Sequence, residues 1–176
     1  MIEVLVTLVI IAFGLLGMAG LQMRLQMSEL ESYQRSQALL LLSDMANRIA
    51  TNRTAATAGG YAIAAASPLG AGITCPGGTS TQAQRDLREW CAALQGAGEA
   101  LGANNAGAMI GGRGCVENVG GDIMVTVAWQ GLTPISAPPE SVGCGAGDYD
   151  GAAGSPCVND LCRRAVTTVV RIANLL

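Results

Sequence analysis

The chain has 176 residues, with ten arginines, no lysine, no histidine and thirteen carboxylate residues, for a net charge of −3. This slightly acidic balance offers no basic face for a run of phosphates, so nucleic-acid binding is disfavoured. The absence of histidine removes the commonest general base and most zinc or iron sites. We therefore predict a protein that is not an enzyme, with no catalytic residue, no cofactor and no metal site.

The first 21 residues form an apolar run that holds one charged residue, Glu3. About 20 apolar residues are enough for a helix to cross a bilayer. A carboxylate costs roughly 2.5–3.5 kcal/mol at the centre of such a helix and less near its edge, so it usually has a partner or a task. The simpler alternative is a helix-start carboxylate that interacts with the helix dipole, worth about 0.3–1 kcal/mol. Residues 1–24 are predicted to be a transmembrane half-helix, with Glu3 as its candidate functional residue.

The helix is predicted to continue well beyond this run. Apolar residues recur at steps of three and four up to Ile49, with Gln34 at the one missing step, and no proline occurs before residue 53. We expect one helix of about 50 residues, about 75 Å long. Its apolar first half should protrude, and its second half (residues 25–53) should pack in a head domain of residues 25–176. Its glycines, at positions Gly14, Gly17 and Gly20, either permit close helix packing or bending, or are simply tolerated in a membrane helix.

The next two segments differ in composition. Residues 54–80 are rich in Ala, Gly, Ser and Thr, which predicts a long connecting loop, with only a weak indication of a strand at residues 61–65. Residues 81–101 begin with a capping box at Thr81 and carry apolar residues at helical spacing up to Leu101. This pattern predicts a short amphipathic helix that covers a sheet.

The last third of the chain is predicted to be a sheet. Residues 115–130 hold two short segments joined by Gly120 and Gly121, and apolar residues alternate along the second segment from Ile123 to Trp129, which is typical of a hairpin. Residues 131–162 hold prolines, glycines and three cysteines and predict a disulfide-stapled loop, and residues 163–172 predict a last strand. Helix first and antiparallel strands later give an α+β fold.

Six cysteines follow the apolar run: Cys75, Cys91, Cys115, Cys144, Cys157 and Cys162. Their even number favours disulfides, and their spacing lacks the two close pairs of a zinc site. Six cysteines allow 15 pairings, among which we favour Cys91 with Cys115 and Cys144 with Cys157 or Cys162. Disulfides place the head in the periplasm or outside the cell. By the positive-inside rule, Arg24, the arginine that follows the apolar run, would instead place the head in the cytoplasm, but the cysteines are the stronger indication.

Other polar and aromatic groups have simple interpretations. Asp148 and Asp150 resemble a fragment of a calcium loop, but a solvated turn is the favoured interpretation. Asp86 and Glu89 lie one helical turn apart and are expected on a wet face with no catalytic role. The two tryptophans, Trp90 and Trp129, are expected in the core.

Taken together, these segments resemble the type IV pilins, and among them the PilV-like minor pilins. The resemblance begins at residues 1–17, a motif of the whole pilin and pseudopilin superfamily. Four later segments favour the PilV-like group, namely residues 43–52, 86–94, 125–130 and 163–172. The resemblance implies a pilin-like fold and a subunit made in the inner membrane with a periplasmic head. After processing by a prepilin peptidase and methylation at the new N-terminus, it would be drawn into a filament whose core holds the first half of the helix.

In that family the glutamate near the mature N-terminus pairs with the terminal amine of a neighbouring subunit, and Glu3 occupies the matching position. Two charges that are each costly in a dry core favour the register in which they meet. Family members usually carry two more mature residues before the stretch that starts here at Met1. Either an internal methionine has been taken as the start, or the leader and first residues precede this sequence, so the peptidase site is expected upstream.

The resemblance implies a minor pilin that works with other minor pilins and the major pilin at the pilus tip, through an inner-membrane assembly platform, and contributes to adhesion. The nearest alternative is a minor pseudopilin of a type II secretion system, which shares the first motif. A second alternative is a membrane-anchored periplasmic binding protein that uses the helix only as a tether.

Overall fold

The computed structural model describes residues 2–98, 100–101, 104–105, 107 and 109–173. The chain forms two compact units, Met1–Tyr33 and Gln34–Leu176. The first is helical from Ile2 onward, and the second, called the head below, combines helices with an antiparallel sheet and three disulfides. The α+β, pilin-like architecture predicted from the sequence is thus confirmed.

The first helix, α1, runs from Ile2 to Thr51 and confirms the prediction of one helix of about 50 residues. Within the head, one side of α1 is buried at steps of three and four residues. This spacing places the buried side chains on one stripe that faces the core. They are Gln34, Ala38, Leu42, Met45 and Ile49.

The segment after α1 is more ordered than a plain loop. A short helix, α2, covers Arg53–Thr57, and a two-residue strand, β1, covers Leu69–Gly70. The strand expected at residues 61–65 is reduced to one bridge, in which Ile63 and Val116 exchange two backbone hydrogen bonds of 2.8 and 3.0 Å. The small residues of this segment gave no periodic pattern from which these contacts could be predicted.

The predicted amphipathic helix, α3, covers Gln82–Leu94. The predicted capping box is present, and the hydroxyl of Thr81 accepts a hydrogen bond from the Gln84 backbone amide at 3.2 Å. The predicted extension to residue 101 is wrong because Gly96, with φ +85°, ends the helix. Residue 101 instead belongs to β2 (Ala100–Leu101), which pairs with β3 (Asn104–Asn105).

The main sheet contains β1 and three longer strands: β4 (Arg113–Val119), β5 (Asp122–Gln130) and β6 (Arg163–Val170). Their order is β1-β4-β5-β6, and each neighbouring pair is antiparallel. Gly120 and Gly121, both at positive φ, make the two-residue turn between β4 and β5. The predicted hairpin is confirmed, and the predicted last strand is present but ends at Val170.

The two faces of this sheet are covered by different parts of the head. One face packs against the helices and contributes Val116, Val125, Val127 and Trp129 to the core. Trp90 of α3 is fully buried in the same core, and its indole N–H donates to the Leu41 carbonyl of α1 at 2.9 Å. Both tryptophans are therefore core residues, as predicted.

Part of the opposite face, around Cys115, Thr126 and Ala128, lies beneath the loop of residues 131–162. Cys115 stands on this face, opposite Thr126 in the ladder, and is bonded to Cys144 of the loop. Tyr149 of the loop is buried, and its hydroxyl donates to the Gly111 carbonyl at 2.8 Å. The guanidinium of Arg113 stacks on the Tyr149 ring at 5.1 Å. The stapled loop predicted here is thus a cover for part of the second face.

All six cysteines form disulfides, but the predicted pairing is wrong. The bonds are Cys75–Cys91, Cys115–Cys144 and Cys157–Cys162. Cys91 lies in α3, which packs on the face that carries Gly114, whereas Cys115 points to the opposite face. Successive residues of a strand alternate between faces, so Cys91 and Cys115 cannot meet through the sheet.

Gly114 is predicted to be intolerant of any side chain. A Cβ built there would overlap the ring of Trp90 and lie 2.8 Å from Cδ1 of Leu94. Because this core is closely packed, we expect Gly114→Ala to destabilise the head by about 1–3 kcal/mol in denaturant unfolding. In the matched control Gly77→Ala, where nothing lies within 4 Å, we expect a change within about 0.5 kcal/mol. Equal effects of the two changes would contradict this packing.

Candidate assembly surface

The apolar first part of α1, residues 2–23, is the candidate functional surface. Its large apolar side chains are exposed, by between 52 % at Val9 and 80 % at Ile2, and Glu3 is its one charged residue. α1 is the one helix in the described residues that is long and apolar enough to cross a membrane, and none of its most apolar stretch is buried. An exposed apolar surface of this size is typical of a site that contacts lipid or other proteins.

Glu3 itself lies in the first turn of α1 and is exposed. The other polar side chain nearby, Thr7, donates its hydroxyl proton to the Val4 carbonyl at 2.9 Å within the helix. Glu3 is therefore placed where a group from another molecule can reach it. Any pairing of Glu3 with a neighbour's amine remains a prediction.

The three glycines of α1 are not required by packing within this chain. A Cβ added at Gly14, Gly17 or Gly20 would meet no atom within 4 Å. Gly14 follows Glu3 by eleven residues, about three turns, so the two lie on the same side of the helix. These positions offer room for a neighbouring helix to approach, and they would equally tolerate alanine in an isolated chain.

The head contains a buried ionic cluster that was not predicted from the sequence. Asp86 is only 3 % exposed, so its predicted place on a wet face is wrong. Its carboxylate accepts hydrogen bonds from Arg48 at 3.1 Å, from Gln82 at 2.7 Å and from the Tyr61 hydroxyl. Asn52 in turn donates to the Tyr61 hydroxyl at 3.0 Å. The cluster thus joins α1, α3 and the segment that carries Tyr61.

Arg48 links this cluster to two more carboxylates. It lies 2.9 Å from Asp44, one turn earlier on α1, and 2.8 Å from Glu89 of α3. Glu89 is exposed, as predicted. Asp86 could have been recognised, since it falls within the buried stripe of α3, one residue before Leu87 and three after Ala83. An acid in an apolar stripe indicates a buried partner.

The pKa values of this cluster follow from its contacts. Burial alone would raise the pKa of Asp86, but hydrogen bonds from Tyr61, Gln82 and Arg48 together hold it below the ordinary 3.8. Burial, reinforced by the bond to Asp86, raises the pKa of Tyr61 to about 12. Asp86 is therefore held ionised and Tyr61 protonated near neutral pH.

The two acids of the possible calcium loop are engaged within the head. Asp148 forms an ion pair with Arg113 at 3.0 Å, and Asp150 accepts a hydrogen bond from the Asp160 amide at 2.8 Å. Both acids are exposed, while Tyr149 between them is buried. In the described part of the chain, no three His, Cys, Asp or Glu side chains form a group that could hold a metal ion. The two acids support the loop's own conformation.

Comparisons with known protein families, with curated proteins and with solved structures return no match to this chain.

Proposed function

We propose that this chain is a minor pilin of the PilV type that takes part in type IV pilus assembly. One observation carries the proposal. A single continuous helix begins as an exposed apolar segment with one carboxylate, Glu3, and ends in the core of a disulfide-bonded head. Such a helix suits a subunit that leaves a membrane for a protein filament, because both surroundings bury the same apolar surface.

Glu3 distinguishes a filament subunit from a simple membrane anchor. An anchor gains at most about 0.3–1 kcal/mol from a carboxylate in the first turn of its helix, and the charge opposes insertion. A filament subunit gains a register, because the carboxylate is compensated only where a neighbour supplies a positive group. We propose that this group is the processed N-terminal amine of an adjacent subunit.

The head would act by docking. Three disulfides within about 90 residues hold its loops in one shape, which suits a protein exposed to an oxidising compartment. We propose that its surface selects the other minor pilins of a priming complex at the pilus tip and contributes to adhesion there. The major pilin, the inner-membrane assembly platform and the prepilin peptidase are the further partners that this role requires. Before assembly, the head would lie in the periplasm and the helix in the inner membrane.

The decisive experiment compares Glu3→Ala and Glu3→Gln with the control Glu29→Ala in full-length protein. Glu29 is an exposed acid of the same helix outside the apolar run. Loss of a compensated charge pair should lower filament incorporation at least about tenfold for both Glu3 variants, with normal amounts in the membrane. Incorporation is measured by quantifying the protein in sheared pili and in membranes, and Glu29→Ala should match the wild type.

Wild-type incorporation of Glu3→Ala would exclude the assembly mechanism and leave the helix as a tether. A pseudopilin of type II secretion predicts the same sensitivity at Glu3. The variants are therefore assayed for both pilus formation and protein secretion. A defect confined to secretion would replace the pilus proposal by the pseudopilin one.

A further inference from the structure

The outer edge of β6 is a row of backbone groups without partners in the described residues. β6 is the last strand of the order β1-β4-β5-β6, so only β5 pairs with it. Between Ala165 and Val170 it contains no charged residue and no proline. Natural proteins usually protect a free edge with such residues, because an unprotected edge pairs with another strand.

The ladder shows which residues of β6 point outward. Val116 exchanges its backbone hydrogen bonds with Ile63 on the outer side of β4, so it does not bond to β5. Alternation along the antiparallel ladder then turns Val125 away from β4 and toward Thr168 of β6. The residues of β6 that point to the free side are the alternate ones, Ala165, Thr167 and Val169. Within the described ranges, the backbone groups of these three residues make no hydrogen bond on the free side.

We propose that this edge pairs with the same edge of a second copy, antiparallel and centred on Thr167. In that register Thr167 faces Thr167 of the other copy, and Ala165 faces Val169. Three facing pairs exchange about six backbone hydrogen bonds. A Thr–Thr pair is favourable across strands, and no like charges face each other among the three pairs.

Charge and exposure also favour a second copy. The head, residues 34–176, carries nine arginines and ten carboxylate residues, so two heads do not strongly repel each other. Thr167 and Val169 are exposed, so side chains of the second copy can lie beside them. The charged Arg171 lies beyond the paired stretch and is bound to Asp122 at 3.0 Å.

Cysteine cross-linking of the full-length protein in detergent micelles tests this pairing. Residues facing each other in the proposed register have Cα atoms about 5.5 Å apart, within disulfide range. Under mild oxidation, Thr167→Cys should give about tenfold more disulfide-linked dimer than Val119→Cys. Val119 is a matched control because it is 55 % exposed at the end of another strand of the sheet, close to the 52 % of Val169. The dimer yield of Val119→Cys also measures how much cross-linking comes from random collision or from association of the apolar helices.

Two further variants test the register. Ala165→Cys and Val169→Cys should each fail to cross-link alone, because equivalent residues then lie about 13 Å apart along the strands. A mixture of the two, with chains of different tag length, should give the mixed dimer. Non-reducing peptide mapping checks that the three native disulfides persist in every variant.

Charge changes test the contact at Thr167 independently. Thr167→Lys and Thr167→Glu, each added to the Ala165→Cys and Val169→Cys pair, should reduce the mixed dimer, because like charges face each other. One chain with lysine and the other with glutamate should restore it. Dimer yields of Thr167→Cys no higher than those of Val119→Cys would overturn the proposal, as would cross-linking to a different polypeptide only. Edge pairing is separable from the assembly role, since a Glu3→Ala chain should still cross-link at residue 167.

Discussion

Replacement of Asp86 by alanine is expected to destabilise the head by about 3–5 kcal/mol, measured by denaturant unfolding. The change removes the buried anion that meets Arg48, Gln82 and Tyr61. These polar groups then lose their partner without regaining full contact with water. Because the cluster joins α1 to α3, the loss should also reduce the protection of α1 from hydrogen exchange at residues 38–49.

Glu89→Gln is the matched control, because Glu89 is a second carboxylate on the same helix bound to the same Arg48. Its side chain is 55 % exposed, so we expect a cost of about 0–1 kcal/mol. Tyr61→Phe, which removes one hydrogen bond to Asp86 and keeps the ring, should fall between the two, at about 1–3 kcal/mol. Equal costs for the changes at Asp86 and Glu89 would show that burial of the Asp86 charge is not what stabilises the head.

The Asp86 cluster also predicts how stability depends on pH. Because the folded head holds the pKa of Asp86 below 3.8, this stabilisation is present above pH 3.8 and is lost as pH falls through the lower, folded value. Between pH 7 and pH 3, Asp86→Asn should therefore lose less stability than the wild type. For Tyr61 the sign is opposite, since a pKa raised from 10.0 to about 12 favours folding below pH 10 and ceases to do so as pH rises through 12.

The elements that could be predicted from the sequence are those with a strong periodic pattern. The long helix has about fifty residues without an interruption by proline. Apolar residues occupy every second position along β5, which follows a turn of two glycines. The candidate surface was predictable for the same reason, since the apolar run and Glu3 are visible in the sequence alone. The structure adds that no other atom of the chain lies within 4 Å of a Cβ placed at Gly14, Gly17 or Gly20, so a neighbouring helix has room to approach there.

The features that could not be predicted depend on contacts between distant segments. The end of α3 at Leu94 could be predicted only by recognising Gly96 as a left-handed cap, because apolar residues at helical spacing continue to Leu101. To predict the disulfide pairing, one must know on which face of the sheet each cysteine lies, and Cys115 lies on the face away from the helices. Asp86 has a partner 38 residues earlier in the chain, Arg48, which no local pattern connects to it.

Of the three disulfides, the one between Cys115 and Cys144 is expected to contribute most to the free energy of unfolding, because it closes the longest loop. It closes a loop with a sequence separation of 29, against 5 for Cys157–Cys162. Loop entropy predicts a loss of about 3.5 kcal/mol for the double replacement of Cys115 and Cys144 by alanine, and about 2 kcal/mol for the matched replacement of Cys157 and Cys162. Denaturant unfolding of the two variants measures this difference.

A second readout separates the cover of the sheet from loop entropy alone. Cys144 holds residues 131–162 over the face that carries Cys115, and Tyr149 is a buried residue of this cover. Without the bond, the cover should open locally before the head unfolds, because hydrogen bonds and side-chain contacts alone then hold it over the sheet. Among them are the contacts of Tyr149 with Gly111 and Arg113 and the hydrogen bonds that Arg163 donates to the Val142 and Cys144 carbonyls. A protease that cleaves after aromatic residues should therefore cut at Tyr149 faster in the Cys115/Cys144 variant than in the Cys157/Cys162 variant, while Tyr61 in the helix-facing core stays protected in both. Equal cleavage at Tyr149 would mean that side-chain contacts, and not the disulfide, keep the second face closed.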